Sequence, residues 1–168
     1  MMNTKKLYLA NLLFKFLPPT HFFSFKNRLL RWCGAVVGKN VQIFTPSIQG
    51  NFNLILEDNV WIGHQALIFG AAGSTIQIKE HAKIGSRSIL VTGYHEYSIQ
   101  YENIAGPGKY ADIIIEKGAC IGTQAIVLPG KIVGMKSHVA AGSIVTHDVP
   151  SFTRVAGIPA KVIKEFQN

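Results

Sequence analysis

From Ile115 onward a branched aliphatic residue returns at every sixth position: Ile115, Ile121, Val127, Val133, Val139 and Val145. Small side chains follow most of them by four residues, at Ala119, Ala125, Ser137 and Ser143, while Gly122, Gly134 or Ala140 follows by one. The same phrase occurs upstream with its register reset. Val37-Gly38-Lys39-Asn40-Val41 leads to Ile43, Leu56-Glu57-Asp58-Asn59-Val60 to Ile62, and Ile78-Lys79-Glu80-His81-Ala82 to Ile84. Amphipathic helices repeat their apolar positions at three and four, so a period of six is not helical. It fits very short strands separated by turns, each sending one aliphatic side chain inward, with a small residue where the chain bends. Three such strands close a triangular coil, and stacked coils bury a continuous aliphatic ladder. Unrelated short strands in a sandwich would not keep one spacing over six rungs.

Two stretches break the period. Before residue 35, Leu9, Leu12, Leu13, Phe16 and Leu17 recur at three and four, as on one face of a helix. Beyond Pro18-Pro19 the pattern resumes with Phe22, Phe25, Leu29, Leu30 and Trp32, interleaved with Lys26, Arg28 and Arg31. Two readings stay open: a helical cap over the first coil, which solenoids need, or a segment lying on an anionic membrane. The second break, residues 94–110, replaces the aliphatic code by polar, aromatic, Gly and Pro residues. It reads as a loop thrown out of the coil, where a rigid scaffold places chemistry. The expected organisation is a cap or interfacial segment over 1–34, coils over 35–155 with the inserted loop 94–110, and a tail over 156–168.

Composition narrows the function. With 48% hydrophobic and 15% charged residues, the 168-residue chain has the makings of a real core. The formal charge of +8 asks for an anionic partner. Its Lys and Arg are scattered and lack a stacking platform or recognition helix, which argues against nucleic acid and leaves a phosphorylated cofactor or an anionic membrane. Cys33 and Cys120 make neither a disulfide framework nor a metal-ligand spacing, so a reducing compartment is the default and no metal is expected. Lys15 interrupts the apolar N-terminal run, and no small-residue cleavage site follows it; a cytoplasmic location is expected, with peripheral contact at the inner membrane face as a further option.

Among six histidines, His64, His81 and His138 occupy variable positions of the repeat and read as solvent-facing, and His21 follows the proline pair. His95 alone sits at the root of the inserted loop, directly before Glu96. An imidazole, with its ordinary pKa of about 6.5, suits proton removal from a weakly nucleophilic hydroxyl. Cys120 stands one step out of the aliphatic ladder and is a poor candidate nucleophile.

The segment Thr92-Gly93-Tyr94-His95-Glu96-Tyr97-Ser98 resembles the T-G-x-H-[DE]-Y-S motif of colanic-acid-type polysaccharide O-acetyltransferases, within the hexapeptide-repeat acyltransferase family. Arg31-Trp32-Cys33-Gly34-Ala35-Val36-Val37-Gly38 resembles the same branch. The ending, Gly142-Ser143-Ile144-Val145-Thr146-His147-Asp148-Val149-Pro150 and then Val155 to Lys164, is similar to the C-terminal signature shared with maltose and galactoside acetyltransferases. Two positions depart from the usual pattern: Cys120 for Trp, and His147 for Lys or Arg.

The resemblance implies a mainly β chain folded as a left-handed parallel β-helix, assembled as a homotrimer. It implies acetyl transfer from acetyl-CoA to a sugar hydroxyl of a surface polysaccharide or its precursor. His95 would be the general base, and Glu96 would orient its imidazole unless a backbone carbonyl does so. The acetyl-CoA contacts carry over to Thr123, Ala141, Thr146 and Lys161, with His147 and Lys164 nearby. Thr123 would offer its backbone N–H to the oxyanion, and the two lysines would meet the nucleotide phosphates. N-acetylation of a nucleotide-linked amino sugar is the alternative within the class. A non-catalytic or zinc-binding β-helix is the alternative outside it.

Overall fold

The computed structural model describes residues 1–167. Behind two helices, the chain winds into a mainly β, left-handed parallel β-helix of about 5 turns. The first coil consists of β1 (Val36–Val37), β2 (Gln42–Ile43) and β3 (Ser47–Gly50), and the second of β4 (Asn53–Leu56), β5 (Trp61–Ile62) and β6 (Leu67–Gly70). The third holds β7 (Thr75–Ile78), β8 (Lys83–Ile84) and β9 (Ile89–Val91). A hairpin of β10 (Gly93–Tyr97) and β11 (Ala105–Tyr110) then leaves the prism. The fourth coil is β12 (Ile113–Ile115), β13 (Cys120–Ile121) and β14 (Ile126–Val127), and the fifth is β15 (Ile132–Val133), β16 (His138–Val139) and β17 (Ile144–Val145).

Each face is a parallel stack. Face one runs β1-β4-β7-β12-β15, face two β2-β5-β8-β13-β16, and face three β3-β6-β9-β14-β17. Register is set by the repeat: Ile121 pairs with Ile84 and Val139, and Val127 with Leu90 and Val145. The six aliphatic residues from Ile115 to Val145 are all at most 1% exposed, so the six-residue period is the core itself. At the corners between faces the third residue takes a left-handed backbone. Asn40, Asn59, His81, Gly118 and Lys136 do so between faces one and two, and Gln65, Arg87, Gln124 and Gly142 between faces two and three. The small residue that follows tucks inward; Ser88 and Ser137 donate their hydroxyls to the carbonyls of Gly85 and Gly134, at 2.7 and 2.6 Å.

The N-terminal segment forms α1 (Thr4–Phe16) and α2 (Phe23–Trp32) over the first coil. Which face it buries differs from the sequence expectation. Leu7, Ala10 and Phe14 go inward, whereas Leu9, Leu12 and Phe16 stay exposed, because α1 is apolar around most of its circumference. Asn11 gives and takes a backbone-like pair of hydrogen bonds with Ile48, closing the free edge of β3. On α2, Lys26 is fully buried and its ammonium donates to the carbonyls of Pro18, Pro19 and Phe44, at 3.0, 2.8 and 2.8 Å. Burial pushes that ammonium below its ordinary range, while the three carbonyls hold its charge and tie the proline turn to the first coil. Lys26→Ala takes this donor from all three and leaves the Pro19 and Phe44 carbonyls without one, while Pro18 keeps the His21 N–H at 3.3 Å. The expected loss is about 2 kcal/mol, read in thermal denaturation as a fall in Tm of roughly 4–8 °C for a chain of this size.

At the other end the stretch expected as a tail is ordered. β18 (Thr153–Gly157) adds in parallel to β16, and β19 (Ala160–Glu165) folds back antiparallel on it. No helix among the described residues is long and apolar enough to cross a membrane.

Candidate active site

The inserted segment is an antiparallel hairpin with a pinned root. Thr92 is buried; its hydroxyl oxygen accepts from the Ala71 N–H at 2.8 Å and shares a 2.6 Å bond with Ser74. Its carbonyl accepts from the Ala111 N–H at 3.0 Å, so the chain leaves and re-enters the prism at one point. Asp112 accepts from the Thr75 N–H at 2.8 Å and fixes the return. β10 and β11 pair Gly93 with Tyr110 and His95 with Gly108, with an irregularity between His95 and Tyr97.

His95 is exposed, and its Nδ1 lies 2.8 Å from the Gly106 carbonyl oxygen. A carbonyl can only accept, so Nδ1 carries the hydrogen and Nε2 keeps its lone pair. Glu96 follows His95 along the strand, where successive side chains leave on opposite faces. Glu96 forms an ion pair with Lys109, not with the imidazole, and this hydrogen bond holds the Lys109 ammonium above its ordinary range. The carbonyl, not the carboxylate, therefore orients the imidazole. Gly106 and Lys109 went unrecognised in the sequence; the only hint was the Gly106-Pro107-Gly108 return strand, whose register with His95 needs the folded hairpin.

Between the hairpin and the corner that follows β6 lies an open groove of about 420 Å³, bordered by Phe69, Ala71, Tyr94, His95, Lys109 and Tyr110. Its aromatic walls remain solvent-accessible. A second groove of about 360 Å³ sits under the cap, between Phe14, Lys15 and Leu17 on one side and Thr45, Pro46 and His64 on the other.

The remaining candidates divide between edges of the prism. Thr146 and His147 follow β17 at the edge between faces three and one, the edge from which the hairpin springs; the Thr146 hydroxyl lies 2.9 Å from His147 Nδ1. Thr123 and Ala141 share the edge between faces two and three on successive coils, tied by the Gly142 N–H donating to the Thr123 carbonyl at 2.9 Å. Lys161 pairs with Ala156 near that same edge, where the Gly157 N–H donates to the Ser143 hydroxyl at 3.1 Å. Lys164, opposite Arg154, lies toward the far end of face two. One chain thus does not bring His95 together with Thr123, Ala141 and Lys161.

His64 and His81 are exposed, as expected, and His21 is exposed too. His138 is half-buried instead, because β18 extends face two beside β16 and sets Arg154 next to it, and desolvation with the Arg154 charge lowers its pKa. Burial pushes the Cys120 thiol up, which disfavours the thiolate a nucleophile needs. Among the described residues, no three His, Cys, Asp or Glu side chains converge as a metal site would require.

No protein-family model matches the chain. It is 31% identical over 149 residues to the Escherichia coli (strain K12) protein WcaF, which is named for a colanic acid biosynthesis acetyltransferase. That match covers 88% of this chain and 78% of WcaF. Among solved structures, a hexapeptide-repeat acetyltransferase of Vibrio cholerae complexed with acetyl coenzyme A superposes with a TM-score of 0.69 at 24% identity, over 98% of this chain and 87% of the other. A galactoside acetyltransferase in complex with coenzyme A gives 0.67 at 21% identity, over 98% and 80%.

Proposed function

The chain belongs to the hexapeptide-repeat acetyltransferases, enzymes that draw their acetyl group from acetyl-CoA, and from that premise we propose that it acetylates a hydroxyl of a sugar in a surface polysaccharide or its precursor. The observation that carries this reading is the His95 imidazole, tethered through Nδ1 to the Gly106 carbonyl with Nε2 free beside an aromatic-walled groove. Aromatic faces suit the C–H surface of a sugar ring.

In the proposed reaction Nε2 of His95 takes the proton of the acceptor hydroxyl as its oxygen attacks the thioester carbonyl. The resulting oxyanion needs a donor aimed at it. The Thr123 N–H is suited to that task, since it serves no backbone partner among the described residues. Collapse of the tetrahedral intermediate expels the CoA thiolate, which recovers the proton from the imidazolium. Ala141 and Thr146 would line the arm of the donor, and Lys161, Lys164 and His147 would meet its nucleotide end.

His95 and Thr123 stand on different edges of one prism, and this division supports a homotrimer. In a trimer the hairpin edge of one subunit faces the Thr123 edge of the next, and each of three clefts holds a complete set. The carboxylate of Glu96 acts in this reading as a brace on Lys109. Glu96→Gln is therefore expected to change kcat by less than about fivefold, far less than loss of a base would.

The decisive experiment incubates the purified chain with radiolabelled acetyl-CoA and a panel of saccharides, each offered as its hydroxyl and its amino form. Label on the hydroxyl form, at a molar mass of three chains in light scattering, is the expected result. Transfer to amino forms alone, or a monomer with full activity, contradicts the proposal.

A further inference from the structure

Residues 1–56 contain seven Lys and Arg and no Asp or Glu; the first acidic side chain is Glu57. This segment includes the entire helical cap, so most of the chain's net charge of +8 lies in its first third, although basic residues recur along the whole sequence. Lys26 and Arg31 spend theirs on carbonyl oxygens, whereas Lys5 and Arg28 are exposed and have no acidic partner among the described residues.

The cap also has a second apolar face. The Pro18-Pro19 turn makes α1 and α2 antiparallel, and their far ends are pinned where the Lys6 ammonium sits 4.8 Å from the centre of the Trp32 ring. Lys6 belongs to the α1 stripe of Lys6, Leu9, Leu13 and Phe16, and Trp32 to the α2 stripe of Phe22, Phe25, Leu29 and Trp32. Since Lys6 and Trp32 touch, the two stripes border one seam. Leu13 and Leu29 form its half-buried floor. Above them Leu9 is 44% exposed, Phe16 79%, Phe22 59%, Phe25 44% and Trp32 47%. The inward faces of both helices already satisfy the first coil, so nothing in the fold itself uses this seam.

We propose that the seam between α1 and α2 is a docking surface for an anionic lipid bilayer, into whose headgroup region Phe16, Phe22, Phe25 and Trp32 insert while Lys5 and Arg28 lie against lipid phosphates. Bulky aromatic and aliphatic side chains rimmed by unpaired cations are what an interfacial helix pair requires, and neither helix is long enough to cross. A second copy of the chain is a poor occupant. Seam against seam would bring together two cationic surfaces with no carboxylate on either side. The proposal is independent of the acceptor chemistry and goes beyond acetyl transfer.

Flotation of the full-length protein with vesicles tests it. The native chain is expected to bind vesicles of phosphatidylglycerol and phosphatidylcholine, to bind phosphatidylcholine alone at least about tenfold more weakly, and to be released by salt. Two double variants, Phe16→Ser with Phe25→Ser and Lys5→Glu with Arg28→Glu, are each expected to lower partitioning at least about tenfold, with Tm unchanged. Failure of the native chain to bind phosphatidylglycerol vesicles overturns the proposal. Full binding by the phenylalanine variant does so too, since adsorption would then be electrostatic only. A native assembly larger than that of the phenylalanine variant in light scattering would show that another protein copy covers the seam, and would equally overturn it. None of these readouts depends on acetyl transfer, so its failure and the failure of the enzymatic reading are separable.

Discussion

His95→Ala is expected to lower kcat for acetylation of a hydroxyl acceptor by about 10²–10⁴-fold, the usual loss when a positioned base is removed. Affinity for acetyl-CoA should hold within about twofold, because in the proposed reaction the imidazole meets the reacting proton and not the nucleotide. One tether decides which ring nitrogen is basic. Gly106 accepts from Nδ1, so the ring cannot present a hydrogen from that side and a lone pair from the same side; Nε2 is the basic atom by exclusion. Alanine removes that atom and keeps the hairpin, whose root is held by Thr92 and Asp112. Steady-state kinetics with the native and variant proteins, and isothermal titration with acetyl-CoA, give the two numbers. A variant that keeps more than about a tenth of native kcat on a hydroxyl would remove His95 from the base role. A small loss confined to amine acceptors would instead fit an amine that needs little help to attack.

Gly122→Val is the second large effect, and it concerns stability. A Cβ at Gly122 would sit 2.5 Å from the Ala141 nitrogen and 2.7 Å from the Ala140 carbonyl carbon. Both are backbone atoms of the next coil, which stacking holds at a strand spacing of roughly 4.8 Å. Neither can swing aside as a side-chain tip would. Forcing the coils apart also strains the corner that carries Thr123 and Ala141. A cost of about 3 kcal/mol is expected, seen as a Tm lowered by roughly 6–12 °C, together with weakened acetyl-CoA binding. Gly142→Asn is the contrasting change. Its backbone φ is +70°, nothing lies within 4 Å of the added Cβ, and asparagine already takes the left-handed third position of the corner at 40 and 59, on the edge between faces one and two. Its expected effect is under about 0.5 kcal/mol. Equal destabilisation by both substitutions would refute the stacking argument.

The prism was legible in the sequence because its burial is one-dimensional. Ile115, Ile121, Val127, Val133, Val139 and Val145 each belong to a different strand, yet every one points to the same axis, so spacing along the chain is spacing around the core. His95 stood out for the complementary reason, as a titratable side chain where the period fails. What lay hidden depends on contacts between residues far apart in the chain or on the choice between equivalent faces. The Gly106 tether and the Glu96–Lys109 pair follow from hairpin register, which the hairpin's irregular pairing obscures. The buried stripe of α1 could not be chosen because Leu7, Ala10 and Phe14 look no more apolar than Leu9, Leu12 and Phe16. The hairpin of β18 and β19 was missed because β19 is exposed along nearly its whole length, leaving no alternation to read.

Parallel coils stacked at a constant spacing have no intrinsic reason to stop: the top of one prism is a template for the bottom of another. This chain blocks both templates. The cap occupies one end, where Asn11 consumes the free backbone groups of Ile48. At the other end β19 runs against the grain of the stack, its pairing with β18 broken in register beside Arg154, and it presents Lys161 and Lys164 outward. A reversed, kinked and charged terminal strand makes a poor seed for edge-to-edge growth. Removing residues 158–168 would leave the parallel edge of β18 bare, and filament formation is the consequence to look for.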